Sequence, residues 1–240
     1  MTVRILELYP QQLNLNGDTG NRTALARRLQ LAGVDVAQAV YDPGDDIPAD
    51  ADIVLTGTGT SSAVRSIAPD LARIAPTLKS WSQGGTVFLA AGAGFHLLAR
   101  TTTMGSGETI DGAGIFDATV DATAPRTITE GFGIDTQFGT LIGTENHTAF
   151  VSLGTDARPL GTVLRGRGNG NGTDGAVVGN SFGTHLHGPA LVLNPAFADR
   201  LIELACDRSG DVYRRNAEHD ALDRVADLAR GILMKKLSAG

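Results

Sequence analysis

Four short apolar runs, Val3–Tyr9, Val34–Tyr41, Ile53–Thr56 and Thr86–Ala90, alternate with helix-forming stretches. This alternation constrains the fold more than any other feature. Each run is too short for a helix and reads as a buried strand. Between them, Asn21–Ala32 places Ala24, Leu25, Leu29 and Ala32 on one face and stops at Gly33. Residues 63 to 82 read as helix broken into two pieces by Pro69 and Pro76. Strands that alternate with helices imply a parallel sheet covered on both faces. A chain of 240 residues has room for one such domain, and the expected unit is residues 1–240.

Ligands of such sheets bind at the carboxyl ends of the strands. The rule gathers the Asn14–Asn21 turn, Gly57–Ser61 and Gly92–Gly94 along one edge. The last of these interrupts Gly84–Arg100, a strand, a small-residue turn and a short helix. A hydrolytic enzyme holds its Ser or Cys at such a turn, where the side chain is exposed and the helix start favours negative charge. Here the turn is Gly92, Ala93 and Gly94, none of which can attack a carbonyl. The single cysteine, Cys206, lies in a helical pattern and reads as a small core residue; alone it allows neither an internal disulfide nor a cysteine metal cage.

The second half differs in character. Gly105–Val178 is rich in Gly, Thr and Asp, and its short runs Ile115–Val120, Arg126–Thr129 and Thr162–Leu164 read as mixed or antiparallel strands that extend the sheet. Gly166–Gly175 reads as a flexible hairpin tip, because no strand-to-helix transition follows it as a phosphate cradle requires. Ala176–His187 reads as a strand ending in His185 and His187, two residues apart and so on one side. No third ligand stands at metal spacing, so no metal is expected. His187 can instead serve as a base over a neighbouring turn or sit hydrogen-bonded within the fold. Asn194–Pro195 opens a helix through Cys206. In the terminal segment 217–237, Leu222, Val225, Leu228, Ile232 and Leu233 recur at helical spacing; such a stripe packs into a core or docks a partner.

A net charge of −6 without a basic cluster argues against nucleic acid. No apolar run approaches the ~18 residues of a membrane span, and the N-terminus lacks a signal-peptide core. The expected location is the cytoplasm, without membrane insertion.

Several segments together resemble the class I glutamine amidotransferases of the cobyric acid synthase type, in particular the glutaminase subunits of lipid II isoglutaminyl synthases. They are Tyr9–Pro10 through Asn14–Asn21, Gly94-Phe-His-Leu-Leu98, Gly114–Asp117, Glu145-Asn-His147, Pro159–Gly161, Gly168–Asn169, Thr184–Pro189 and Asn194–Pro195, in the family's order. The resemblance implies a flavodoxin-like, three-layer α/β sandwich with a mostly parallel central sheet and an antiparallel extension. In that family a cysteine attacks the glutamine amide to give a thioester and ammonia, a later histidine acts as acid and base, and backbone N–H groups hold the oxyanion. Carried over, the histidine is His187 and the cysteine position is Gly92. The implied substrate-binding residues are Arg126, Gly57, Ala93 and His96, with Arg126 holding the carboxylate or, alternatively, lying on a strand surface. The implied partner is an ATP-dependent, Mur-ligase-like subunit; no cofactor is implied.

Departures from the family cluster where the chemistry would be. Its Gly-Gly-Gly-Gln-Asp turn is Gly57-Thr-Gly-Thr-Ser61, its Gly-Arg after Glu-Asn-His is missing from Thr148–Phe150, and its glutamine after the nucleophile turn is His96. A Ser61–His187 hydrolase lacks an identifiable orienting acid. Two readings stand: an amidotransferase-like subunit that has lost glutamine hydrolysis, and a regulatory pseudoenzyme whose pocket near Gly92, His96, Arg126 and His187 takes another small molecule.

Overall fold

The computed structural model describes residues 2–238. Its first half is strand β1 (Thr2–Leu8), helix α1 (Thr19–Leu31), β2 (Asp35–Tyr41), β3 (Ile53–Thr56), α2 (Ser61–Gln83), β4 (Val87–Ala91) and α3 (Ala93–Leu98). The second half runs β5 (Thr101–Thr103), β6 (Thr109–Asp111), β7 (Ala118–Asp121), β8 (Thr127–Thr136), β9 (Gly139–His147), β10 (Phe150–Leu153), β11 (Gly161–Arg165), β12 (Thr173–Asp174), β13 (Ala176–Val178) and β14 (Ser181–Thr184). Helices α4 (Ala190–Leu193), α5 (Pro195–Ser209) and α6 (Ala217–Ser238) follow.

The central sheet has the order β13-β14-β4-β3-β1-β2, parallel except where β13 pairs antiparallel with β14. Alternate residues of the central strands face opposite cores. Leu6, Val54 and Phe88 pack with Ile67, Leu71, Leu78 and Trp81 of α2. Ile5, Ile53, Leu55 and Leu89 pack with Leu25 and Leu29 of α1 and Leu201 and Ile202 of α5. The strand period of two thus builds the three-layer α/β sandwich that the sequence implies.

Helix α2 is continuous through Pro69 and Pro76, against the expectation of two pieces. Both prolines are exposed and stand two turns apart on the solvent face, so the carbonyls they leave unpaired face water. The opposite stripe, Val64, Ile67, Leu71, Ile74, Leu78 and Trp81, is buried without interruption and holds the helix on the sheet.

The antiparallel extension of the central sheet is β13 alone. The runs expected to widen it lie in two further four-stranded sheets, β10-β7-β5-β6 and β12-β11-β8-β9. Ala176–His187 is a hairpin rather than one strand: Val178 pairs with Ser181 across Gly179-Asn180, with Gly179 at φ +55°. Gly166–Gly175 is also no loose tip. Glu145 accepts the N–H groups of Arg167 and Gly168 at 2.8 and 3.0 Å, and the Asn169 amide bonds both the N–H and the carbonyl of Gly175.

Helix α6 docks through His219, Asp223, Ala226, Arg230 and Leu233, repeating at three and four residues. His219 Nε2 donates to the Arg28 carbonyl at 2.9 Å, and Asp223 accepts from the Arg28 guanidinium at 2.8 Å. The stripe Leu222, Val225, Leu228 and Ile232 faces solvent instead of the core; Leu233 alone of the five is partly buried. Among the described residues no helix is long and apolar enough to cross a membrane.

Candidate active site at the strand ends

The register of the parallel strands decides what meets at the carboxyl edge. Leu8 is level with Thr56, Thr56 with Ala90, and Ala91 with Thr184. The residues that follow, Tyr9, Gly57, Gly92 and His185, therefore emerge together.

Gly92 caps α3 at φ 52° and ψ −118°, a strained elbow that presents its Cα hydrogens where a nucleophile would stand. Its N–H donates to the Thr184 carbonyl at 2.9 Å, and the Gly94 N–H donates to the Gly57 carbonyl at 2.9 Å, so the elbow is pinned to both neighbouring strands. Gly94 allows this approach: a Cβ there would lie 2.6 Å from the Gly57 carbonyl oxygen.

Thr58 fills the space over the elbow. A Cβ on Gly92 would lie 2.5 Å from Thr58 Oγ1 and overlap the His187 ring. The same hydroxyl accepts the Ala93 N–H at 2.9 Å. The Thr58 N–H in turn donates to Asp18 Oδ2 at 3.0 Å. Two backbone donors beside the elbow, the kind that would hold an oxyanion, are thus already bonded.

His187 stands behind this plug. An antiparallel bridge to Thr144 holds its backbone, and it is 1% exposed with both ring nitrogens buried and unpaired. Its Nδ1 lies 4.0 Å from Asp18 Oδ1, itself buried and without a hydrogen bond. Asp18 is a buried carboxylate beside His187 that sequence reasoning missed. The available signal was its place in the turn after the first strand, at the edge where ligands bind.

In front of the plug lies a cavity of about 320 Å³, lined by Thr58, Ala93, His96, Arg126, Asn146 and His147, among others. His96 and Ala93 reach it, as does Arg126 from just before β8, exposed and donating to Asn146 Oδ1 at 3.0 Å. Gly57 is buried behind Thr58, and His187 does not line the cavity. The lining contains one arginine and no carboxylate.

The wall behind His96 is a buried histidine array. His185 Nδ1 donates to Asp174 Oδ1 at 2.7 Å, and His185 Nε2 lies 3.0 Å from His96 Nε2. His147 stacks on His185 with ring centroids 4.0 Å apart. It accepts the Ala149 N–H on Nδ1 and donates from Nε2 to Glu145. Burial and the neighbouring His185 lower its pKa to about 4 against the pull of Glu145. Burial alone would raise Glu145, but hydrogen bonds from His147, Thr129, Gly168 and Arg167 outweigh it and hold the carboxyl at about 2. Burial first, then His185, drives the His96 pKa well below its ordinary value. Asp174 and Glu145 are charged residues in the cores of glycine-rich or polar strands, and their pairing with His185 and His147 was not readable from spacing alone. Cys206 is buried far along α5, its thiol pushed up to about 11 by burial and then by Asp211 and Asp207, as suits a packing residue.

Residues 21–195 match the CobB/CobQ-like glutamine amidotransferase domain. The chain is 31% identical over 239 residues to the GatD subunit of the lipid II isoglutaminyl synthase (glutamine-hydrolyzing) of Staphylococcus aureus strain N315, covering 97% of this chain and 95% of that one. It is 32% identical over 208 residues to the GatD subunit from Streptococcus pneumoniae strain R6, covering 85% and 80%. A crystal structure of a glutamine amidotransferase matches the fold with TM-score 0.57 at 16% identity, over 83% of this chain and 98% of that one. With residues 21–195 matching that domain and two GatD subunits 31% and 32% identical over most of the chain, the chain belongs to the family of CobB/CobQ-like glutamine amidotransferases.

Proposed function

We propose that this chain is the amidotransferase-like subunit of a complex of the lipid II isoglutaminyl synthase type, that it does not hydrolyse glutamine, and that it works in the cytoplasm with an ATP-dependent, Mur-ligase-like partner. The proposal treats the chain as one domain carrying a terminal amphipathic helix. One observation carries it: Gly92 at the elbow leaves no nucleophile, while Thr58 occupies both the space for one and the Ala93 N–H. A thioester route needs a thiol, and its tetrahedral intermediate needs free donors. Here both are missing from the same few ångströms. The similarity to GatD subunits over nearly the whole chain supports the role of a subunit.

The partner then takes ammonia from solution, or uses this chain as scaffold. The test is amidation by the complex purified from native cells, with ammonium or glutamine as nitrogen source. Amidation with ammonium and none with glutamine is expected; glutamine-dependent amidation overturns the proposal.

A second reading, a ligand-binding pseudoenzyme, is favoured by the open cavity in front of a base that does not reach it. A purified chain that never associates with a ligase-like protein would favour that reading.

A further inference from the structure

Helix α6 carries an apolar stripe that the fold leaves uncovered. Val225, Leu228 and Ile232 are 66%, 75% and 64% exposed, on the side turned away from His219, Ala226 and Leu233. Large apolar side chains in an unbroken row, unlike single exposed ones, mark a contact surface. The row extends into charge at each end. Glu218, Ala221, Val225, Leu228, Ile232 and Lys235 follow one another in steps that alternate between three and four residues, the spacing of a two-stranded helical seam.

The order of residues along the seam identifies what covers it. Turned end for end, the seam matches itself: Glu218 falls opposite Lys235, Ala221 opposite Ile232 and Val225 opposite Leu228. Opposite charges meet at both ends, and the largest apolar side chain of each half faces a smaller one. The flanking positions follow the same rule, with Leu222 opposite Ala229 and Arg224 opposite Gly231, beside which there is open space. A parallel arrangement would instead set Glu218 against Glu218 and Lys235 against Lys235. Both end residues are exposed and, among the described residues, neither has an ion-pair partner. Their neighbours Asp220 and Lys236, by contrast, are tied within the chain to Arg215 and Glu130.

We propose that α6 is a homodimerisation surface, on which a second copy of this chain lays its own α6 antiparallel about a two-fold axis passing between Ala226 and Asp227. Such a pairing is isologous and closes at two subunits. His219, Asp223 and Arg230 already hold the helix on the fold, so little order is lost when it pairs. One helix from each subunit buries less than the standard interface of about 1,600 Å², which makes the dimer reversible. No residue of α6 lines the cavity in front of Gly92, so the pairing leaves that lining untouched. The dimer goes beyond the proposed function and does not depend on whether the chain hydrolyses glutamine.

The test is sedimentation velocity of the full chain at concentrations from about 1 to about 500 µM, repeated for surface variants. The average mass should rise with concentration toward twice that of the monomer. Leu228→Glu, at a position exposed in the monomer, should stay monomeric throughout the range with an unchanged circular dichroism spectrum. Glu218→Lys or Lys235→Glu alone should weaken the dimer severalfold by setting like charges together, and the two combined should restore most of it. Ala221→Cys combined with Ile232→Cys should give a disulfide-linked dimer with oxidised glutathione. Neither single cysteine variant should, because the two copies of residue 221 lie about 16 Å apart along the axis, and Cys206 is buried. A chain that stays monomeric at the highest concentration, a dimer that Leu228→Glu leaves intact, or one that the charge exchange fails to restore overturns the proposal. Loss of a ligase-like protein from the native complex on Leu228→Glu would assign the stripe to that protein and overturn it as well.

Discussion

The hydroxyl of Thr58 accepts the backbone N–H of Ala93 at 2.9 Å, across the turn at Gly92. One side chain therefore closes both the oxyanion position and the space that a Cβ at residue 92 would occupy. On the proposed reading, the missing thiol and the filling of its site go together, so Gly92→Cys alone is insufficient.

Gly92→Cys alone should show no glutamate release and should lose about 2 kcal/mol of stability, from a side chain at φ 52° and from overlap with Thr58 and His187. Thr58→Gly combined with Gly92→Cys frees the Ala93 N–H and the space for the thiol. The double variant should recover much of the stability and release glutamate measurably where the single variant does not, since a lost oxyanion donor costs about 100-fold or more. Glutamate release and chemical denaturation of the three proteins check this; equal rates in single and double variants would refute the plug.

Acid should weaken the fold well above the ordinary range of carboxylates. The His147 pKa falls from 6.5 to about 4 on folding, so between those values the unfolded chain binds the extra proton. Stability is therefore complete above pH 6.5 and declines as pH falls toward 4, by about 3 kcal/mol from this residue. Glu145, held at about 2, adds a further loss as pH drops from 4.5 toward that value. Urea denaturation from pH 8 to 4 measures the slope, and His147→Gln should flatten its upper part.

Glu145→Ala should release Gly166–Gly175. The carboxylate is fully buried and accepts from Arg167, Gly168, Thr129 and His147. Its removal leaves those donors unpaired, at a cost of about 3 kcal/mol. Amide hydrogen exchange should accelerate at Arg167 and Gly168 more than in the central sheet.

The parallel sheet was legible because buried strands announce themselves: Ile53–Leu55 and Val87–Ala91 are apolar throughout and covered on both faces. The strand-end rule groups Gly57, Gly92 and the Asn14–Asn21 turn from the sequence alone. Legibility failed where distant partners decide. Pro69 and Pro76 break a helix only if their face is buried, and theirs is not. The glycines of 166–175 looked loose because the Glu145 side chain that ties them lies on another strand. The stripe Leu222–Ile232 has the spacing of a core face, yet a second stripe on α6, from His219 to Leu233, docks instead. Local pattern gives a helix two candidate faces, and only the surface it meets selects between them.

The central claim is that this family member cannot hydrolyse glutamine. Glutamate release from glutamine by the purified chain, alone and in its native complex, tests it most directly. No release above the rate without protein, in either state, is the predicted result; sustained turnover by the unaltered chain would contradict the account.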